Sequence, residues 1–217
     1  MLGFRPHVSA QDAFLMIHDE VLDPPRNNEA RIAVALDIKQ AFDMVSHNTI
    51  LEGLEDIGCG RQVFQCVLSF LRHRKATIGL GNTRSDSFAM PNRGTAQGLI
   101  LSPLLFNVGM RRLALELEQI RDFKCTINAD DITLWVRRGD RQDLLQEATD
   151  NVANFTKHAG MTCAPEKSEF TTGRNKRRKK VGIQGIDLHL EGYAIREVTQ
   201  ESAWLIYSRE RQRRCHN

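Results

Sequence analysis

Two short apolar runs separated by a polar turn stand out in the second half of the chain. The apolar residues Ile127, Ile132, Leu134 and Val136 mark residues 123–128 and 131–136 as strands, and the turn between them carries Asp130. This pattern predicts a β-hairpin with Asp130 and Asp131 side by side at its tip. A third run, residues 31–38, is apolar on both faces, which is typical of a central strand, and Asp37 lies near its end.

Apolar residues at helical spacing predict five helices around these strands. The helices cover residues 10–22, 47–56, 61–72, 103–121 and 140–158. Ser46 is the predicted N-cap of the second helix and Gly58 its stop. Two further hairpins are expected, one over residues 77–90 and a last one from Ile183 to Leu190. The mixture predicts an α+β fold, with an antiparallel sheet and helices packed behind it.

The acidic residues point to metal chemistry. Two adjacent carboxylates at an apolar hairpin tip repel each other and are costly to desolvate unless a cation or hydrogen bonds compensate. Mg²⁺ prefers oxygen ligands, usually one or two carboxylates together with substrate phosphates. Asp130, Asp131 and Asp37 therefore form a candidate phosphoryl-transfer site. A satisfied hairpin turn without chemistry is the alternative for an isolated Asp-Asp pair, because aspartate is common in turns.

Composition sets the broad class of the protein. The 217 residues are 41% apolar, which is enough for one compact core, and the net charge is +3. Basic residues concentrate at 72–75, 174–180 and 209–214. The five cysteines show no Cys-x-x-Cys spacing, and no apolar run reaches the length of a membrane helix. We expect a soluble intracellular protein that does not enter a membrane.

An ordered set of motifs carries a family resemblance. Asp37 ends a strand, residues 93–98 read RGTAQG, residues 101–107 read LSPLLFN, and residues 129–131 read ADD. Gly160 and the segment 165–168, PEKS, follow. In this order the chain resembles the reverse transcriptases of non-LTR (LINE-like) retrotransposons, from about residue 3 to about residue 198.

The resemblance implies a polymerase palm with a ferredoxin-like antiparallel sheet, and partial helical and hairpin fingers. Residues 1–198 would form the reverse transcriptase domain, with fingers at 1–30 and 60–92 and palm at 31–59 and 93–198. Residues 199–217 would be a divergent basic tail. The implied activity is RNA-directed DNA synthesis, in which two metal ions assist attack of a primer 3′-hydroxyl on a deoxynucleoside triphosphate. The implied cofactor is Mg²⁺, with Mn²⁺ as a substitute.

The resemblance also assigns roles to single residues. Asp37, Asp130 and Asp131 would bind the metal ions, and Lys167 would approach the leaving pyrophosphate. Phe42 would close the sugar side of the pocket against a 2′-hydroxyl, unless it is only part of the core. The remaining substrate-binding residues would be Arg93, Gly94, Gln97 and Gly98. The implied partners are an RNA template, a DNA primer and deoxynucleoside triphosphates.

Three departures from the family pattern keep other functions open. Ala96 replaces the usual proline, Leu99 the usual small residue, and Asn128 the usual aromatic residue before Ala-Asp-Asp. They favour a non-catalytic nucleic-acid-binding remnant of such an enzyme. The resemblance itself implies a truncated copy that would need fingers and thumb parts or a longer polyprotein. An unrelated Mg²⁺-dependent hydrolase is a further alternative. The run 174–180, with six basic residues in seven, fits a solvated loop, an RNA contact or a nuclear import signal, so nucleus and cytoplasm both stay open.

Overall fold

The computed structural model describes residues 15–22, 31–96, 98–136, 141–173 and 185–199. Its first element is a helical turn that becomes a π-helix over His18–Leu22. This turn is the described part of the helix predicted over residues 10–22; the rest lies outside the described residues. The predicted basic run 174–180 and the tail beyond 199 also lie outside them.

The centre of the fold is a mixed sheet built around β1, Arg31–Lys39. Its other members are β6 (Phe123–Asn128), β7 (Asp131–Val136), β8 (Thr162–Cys163), β9 (Glu169–Gly173) and β12 (Arg196–Glu197). Within the described residues the strand order is β12-β9-β1-β7-β6, and the short β8 pairs with the end of β1. All pairings are antiparallel except that of β12 with β9.

Five α-helices follow this first turn in the described residues. They are α1 (Ala41–Met44), α2 (His47–Ile57), α3 (Arg61–Leu71), α4 (Leu101–Glu118) and α5 (Gln142–His158). The predicted caps of α2 are confirmed, because Ser46 Oγ accepts a hydrogen bond from Thr49 N at 3.1 Å and Gly58 is left-handed. Helix α4 begins two residues before the predicted start, and Pro103 lies in its first turn.

The two faces of the sheet are covered differently. Alternate residues of β1 and β7, such as Val34 and Leu134, join a large core with the helices. On the opposite face, Ala33 and Trp135 pack under Ile17 and Val21 of the first helical turn. Because side chains alternate along a strand, Asp37 belongs to this second face, two pleats along from Ala33. The predicted α+β fold with helices behind the sheet is confirmed in this arrangement, and the predicted antiparallel pairing holds for every strand pair of the central sheet except β12 with β9.

Small hairpins flank the core. The predicted hairpin at 77–90 is confirmed as two nested pairs, β3 (Gly79–Leu80) with β4 (Thr83–Arg84), and β2 (Lys75–Ala76) with β5 (Phe88–Ala89). The last hairpin was predicted from Ile183 to Leu190, and that position is wrong. It joins β10 (His189–Leu190) to β11 (Tyr193–Ala194). Its turn is formed by Glu191 and Gly192, both at positive φ, as a type I′ hairpin turn requires.

Within the ranges that the structure describes, no helix is both long enough and apolar enough to cross a membrane.

Candidate active site

The three predicted acidic residues come together where β1, β6 and β7 meet. Asp37 lies opposite Asp131 in the antiparallel register of β1 and β7, so their side chains leave the same face of the sheet. Asp130 precedes Asp131 in the turn between β6 and β7, and its carbonyl accepts a hydrogen bond from Ile38 N at 3.2 Å. The structure thus places residues that are distant in sequence in one corner of the sheet.

The turn that carries Asp130 has an unusual backbone. Asn128 pairs with Asp131 across the hairpin, which leaves Ala129 and Asp130 in a two-residue loop. Ala129 is buried and has φ of 56°, a left-handed conformation that costs a residue with a Cβ atom roughly 1–2 kcal/mol. Such strain is frequent at functional sites, where the surrounding structure enforces it. The alternation of apolar residues predicts the hairpin but not this conformation.

Asp37 is held through its backbone. Its N–H donates to Ser168 Oγ at 3.3 Å, and its carbonyl accepts from Ala164 N at 2.8 Å. Ser168 is buried, and its hydroxyl donates in turn to Ala164 O at 2.9 Å. Ser168 therefore links Asp37 to the turn that carries Lys167. The sequence gives no sign of this role, because serine is common in polar segments.

The carboxylate of Asp37 is electrostatically unusual. Burial raises its pKa, and the negative charges of Asp130 and Glu166 add to this rise. Lys167 acts in the opposite sense, because its Nζ lies 3.2 Å from Asp37 Oδ2. That oxygen is buried and receives no hydrogen bond of normal geometry from the described residues, so its contact with Lys167 is an ion pair. The predicted catalytic lysine thus lies beside the first acid.

The neighbourhood of Lys167 is fixed by a second ion pair. Lys39, at the end of β1, lies 3.0 Å from the carboxylate of Glu166. Lys167 N also donates to Ala164 O at 3.0 Å. The Lys167 side chain itself is 65% exposed, so its ammonium group can leave Asp37 at little cost.

The side chains at this corner are of the type that binds divalent cations. Asp37, Asp130 and Asp131 offer hard carboxylate oxygens, and the buried Oδ2 of Asp37 is paired with the ammonium group of Lys167 without a hydrogen bond of normal geometry. Among the described residues, no three His, Cys, Asp or Glu side chains converge closely enough to hold a metal ion in this conformation. Lys167 instead supplies positive charge to Asp37. A cation there would compete with this ammonium group for the same oxygen.

The predicted substrate loop, residues 93–96, is joined to the segment after β1. Gly94 N donates to Val45 O and Thr95 N donates to Phe42 O, both at 2.7 Å. Gly94 has φ of 74°, and a Cβ atom there would lie 2.5 Å from Asp43 O, so no other residue fits. Of the remaining loop residues, Gln97 lies outside the described residues and Gly98 is exposed.

Phe42 lies between the core and this loop. Its ring packs on the buried Phe106 with 4.6 Å between ring centroids. It remains partly exposed, and its carbonyl accepts the bond from Thr95. Both sequence interpretations of Phe42 are therefore compatible with its position, and its role in sugar selection stays a prediction.

Two residues that sequence reasoning missed hold the other side of the loop. Arg74 Nη2 donates to the carbonyls of Arg93 and Gly94 at 2.8 Å and 2.9 Å. His47 is buried, and its Nε2 lies 3.0 Å from Gly94 O. In the sequence, Arg74 is one member of a basic cluster at a helix end. This position indicates an interaction with the helix dipole and gives no sign of the hydrogen bonds to the loop.

The departures from the family pattern have distinct surroundings. The Ala96 carbonyl accepts a hydrogen bond from Ser102 Oγ at 2.5 Å, which joins the loop to the start of α4. Leu99 is exposed, and Ile100 beside it is 99% exposed. Asn128 lies opposite Asp131, at the base of the two-residue turn.

Comparison with known sequences identifies the family. The profile of the family "Reverse transcriptase (RNA-dependent DNA polymerase)" matches residues 1–205. A Pol polyprotein from the type-1 retrotransposable element R2 of Popillia japonica is 31% identical over 144 residues, which are 62% of this chain and 20% of that protein. A second R2 polyprotein from this organism is 29% identical over 68% of this chain and 26% of that protein. The chain thus spans about a quarter or less of these relatives.

Solved structures support the fold. Telomerase of Candida tropicalis, in a form truncated from its C-terminal domain, has a TM-score of 0.55 at 15% identity, over 80% of this chain and 36% of that one. Telomerase of the same organism with a fragment of telomeric RNA has a TM-score of 0.57 at 14% identity, over 83% and 32%. At this identity the likeness concerns the fold alone.

These findings confirm one interpretation of the sequence and exclude another. The relatives confirm the expected kinship with non-LTR retrotransposons, and the unrelated-hydrolase alternative is wrong, because the family profile matches nearly the whole chain. The proposed division into fingers and palm, and the roles of the single site residues, stay predictions. The family profile, which agrees with the pairing of Asp37 with Asp131 and with the fold of the structural neighbours, shows that the chain belongs to the reverse transcriptase family.

Proposed function

We propose that this chain carries the palm of an RNA-directed DNA polymerase that extends a DNA 3′-end on an RNA template. The observation that carries the proposal is the antiparallel register that sets Asp37 opposite Asp131, with Asp130 in the adjoining turn and Lys167 3.2 Å from Asp37. Two strands and a turn thereby supply three carboxylates and one ammonium group to a single corner of the sheet.

The acids and the lysine would divide the chemistry. Asp37 and Asp130, supported by Asp131, would hold divalent ions, as the family generally requires; we propose Mg²⁺, with Mn²⁺ as a substitute. Bound ions would supply activation of the primer hydroxyl and charge neutralisation of the triphosphate. Release of Asp37 would free the ammonium group of Lys167 to stabilise charge, or to donate a proton, at the leaving pyrophosphate.

The position of the loop 93–96 beside Phe42 indicates where a nucleotide substrate would bind. We propose that a deoxynucleoside triphosphate lies between the acids and the loop 93–96, with Phe42 at its sugar. Support for an RNA template comes from the family and from a telomerase relative in fold that is described in complex with telomeric RNA. The protein would act inside the cell, in nucleus or cytoplasm, and in the context of a longer protein.

The experiment that tests the proposal is primer extension on an RNA template with Asp130→Asn as the critical variant. A neutral amide cannot replace the charge that holds the ions, so incorporation should fall by at least about a hundredfold. The exposed Asp86→Asn is the matched control. Binding of Mn²⁺, followed by electron paramagnetic resonance, should weaken in Asp130→Asn and not in the control. Equal incorporation by Asp130→Asn and the wild-type chain contradicts the proposal.

A non-catalytic nucleic-acid-binding role is the second candidate. The observations that favour it are the departures at Ala96, Leu99 and Asn128, of which the first lies in the loop 93–96, the second directly after it and the third at the acidic turn. Under this alternative the wild-type chain binds an RNA–DNA duplex without any incorporation in Mg²⁺ or Mn²⁺. The same assay therefore separates the two candidates.

A further inference from the structure

Arg74 lies where three parts of the molecule meet. It follows α3, and its carbonyl accepts a hydrogen bond from Met90 N at 2.8 Å, which closes the base of the hairpin that contains β2 and β5. Its side chain reaches the loop 93–96 and donates to two consecutive carbonyls there, those of Arg93 and Gly94. A guanidinium group is suited to this task, because its planar fork holds several donors in fixed directions.

His47 supports the same carbonyl from the start of α2. Gly94 O can only accept, so the 3.0 Å contact requires that His47 Nε2 carries the proton. In that tautomer the 3.3 Å approach of Arg74 Nη2 to Nε2 is a packing contact and not a hydrogen bond. Burial and the adjacent guanidinium group lower the pKa of His47, which keeps the ring neutral beside the cation.

The loop is fixed on its opposite side by backbone bonds. Gly94 N and Thr95 N donate to Val45 O and Phe42 O, and the close approach of Gly94 to Asp43 leaves no space for a shift in that direction. Arg93 and Ser46 form an isolated β-bridge at the start of the loop. Since Thr95 is bonded directly to Phe42, any displacement of the loop also displaces the Phe42 backbone.

We propose that Arg74 and His47 are positioning residues that hold the loop 93–96 against Phe42, and so set the width of the sugar side of the nucleotide pocket. This inference rests on the proposed polymerase function and deepens it. The two residues contact carbonyl groups and not the nucleotide. They act through the loop on the discrimination between deoxyribo- and ribonucleoside triphosphates.

Charge is the competing explanation for Arg74, and the structure offers a way to separate it. Among the described residues, no carboxylate forms an ion pair with Arg74, so its charge could also attract a phosphate. Arg74→Lys keeps the charge but replaces the fork by a single ammonium group. A positioning role predicts that lysine restores little, whereas a role in phosphate attraction predicts nearly full rescue.

The first measurement concerns the loop itself and needs no enzymatic activity. Hydrogen exchange of the Gly94 and Thr95 amides is compared in the wild-type chain, Arg74→Met and Arg72→Met, since Arg72 is exposed at the same helix end. Exchange should be about tenfold faster in Arg74→Met, because the closed loop loses the hydrogen bonds from the guanidinium group and opens more often. It should be unchanged in Arg72→Met. His47→Phe, which keeps the ring volume, should show a smaller increase. Equal exchange in all variants overturns the proposal.

The second measurement is the ratio of kcat/KM for a deoxynucleoside and the matching ribonucleoside triphosphate. In Arg74→Met this ratio should fall about tenfold at an unchanged Tm, and Arg74→Lys should resemble Arg74→Met. Rescue by lysine, or a preserved ratio in Arg74→Met despite faster exchange, overturns the positioning role. If the wild-type chain incorporates no nucleotide, the proposed function fails, and the selectivity assigned to Arg74 and His47 fails with it. The exchange measurement still decides whether Arg74 holds the loop.

Discussion

At the scale of single residues, the candidate site concentrates features that do not favour folding. Asp37 is a partly buried carboxylate with a raised pKa, Asp130 adds a like charge, and Ala129 holds a left-handed backbone. A chain selected for stability alone would replace each of these residues. Their joint presence at one corner of the sheet indicates a site where function outweighs stability.

Asp37→Asn should therefore stabilise the protein near pH 7. The folded-state pKa of Asp37 lies above its ordinary value, so ionisation of this side chain disfavours the folded state as pH rises through the folded pKa. The variant removes this disadvantage and should gain about 1 kcal/mol in the free energy of unfolding. The gain should vanish as pH falls below the ordinary pKa of 3.8, where both states are protonated.

Urea unfolding at several pH values, followed by circular dichroism, measures this gain. Asp86→Asn, at an exposed position, is the control and should show no pH-dependent difference from wild type. A gain for Asp37→Asn that stays constant from pH 7 to pH 3 would contradict the electrostatic explanation.

The sequence predicts the acids and Lys167 but not the residues that position them. An aspartate after an apolar strand is visible in a single segment. The contacts of Ser168 with Asp37, and of Arg74 and His47 with Gly94, are made with backbone groups far away along the chain. Any serine, arginine or histidine could make such bonds, so residue type carries no signal for them.

At the scale of elements, the first helical turn covers one end of the face that carries Asp37. Trp135 Nε1 donates to the Glu20 carboxylate at 2.9 Å, and Lys124 forms an ion pair with the same group. Ile17 and Val21 pack on Ala33 and Trp135. The turn therefore closes the end of the sheet face that lies away from the acids.

Gly173→Ala should displace this turn. A Cβ atom at Gly173 would lie 1.6 Å from Val21 O, a contact that no side-chain rotation can relieve. In a Trp204→Phe background, Trp135 is the single tryptophan, and its emission should shift to longer wavelength as the buried ring becomes exposed to water. Stability should fall by about 2–3 kcal/mol.

Gly60→Ala is the matched control, because a Cβ atom there meets nothing within 4 Å. If Gly173→Ala fails to fold, Glu20→Gln tests the same docking without a steric clash and should give a smaller emission shift. Unchanged Trp135 emission in both variants would show that the turn does not cover the sheet.

Element boundaries are predicted well where a single residue fixes them. Ser46 and Gly58 bound α2 through a side-chain cap and a left-handed residue, and both signals are local. The last hairpin was misplaced because Glu191 takes a positive φ that its residue type does not favour. The outer pair, β2 with β5, forms only when the whole hairpin is in place. The hairpin therefore begins at Lys75, two residues before the start that the apolar pattern predicts.

At the scale of the whole molecule, the fold is that of a polymerase palm. The chain covers 26% or less of the length of the two R2 polyproteins. A palm supplies the reactive groups, whereas retention of a template–primer duplex depends on charge spread along a larger surface. The sequence places its densest charge at 174–180, outside the described residues.

Replacing the lysines and arginines of residues 174–180 by glutamine should weaken RNA binding for all sequences alike. Contacts with phosphates release counterions, so the slope of log K against log salt should also become smaller. Fluorescence anisotropy with two unrelated RNAs at several salt concentrations measures both effects. Substituting the basic residues of 209–214 is the control for a general loss of charge. Unchanged affinity combined with failed nuclear import would identify the run as a targeting signal.

The last prediction asks whether the departures at 96, 99 and 128 limit catalysis. The triple variant Ala96→Pro, Leu99→Ala and Asn128→Tyr restores the family pattern at the loop and at the acidic turn. Residue 96 is joined to α4 through Ser102, and residue 128 lies opposite Asp131. If the departures are damage, this variant should raise nucleotide incorporation about tenfold. A longer version of the protein should respond equally, because the substitutions lie inside the palm. The triple variant combined with Asp130→Asn is the control and should be inactive. Equal incorporation before and after restoration would show tolerated variation, and no incorporation in either version would favour the nucleic-acid-binding remnant.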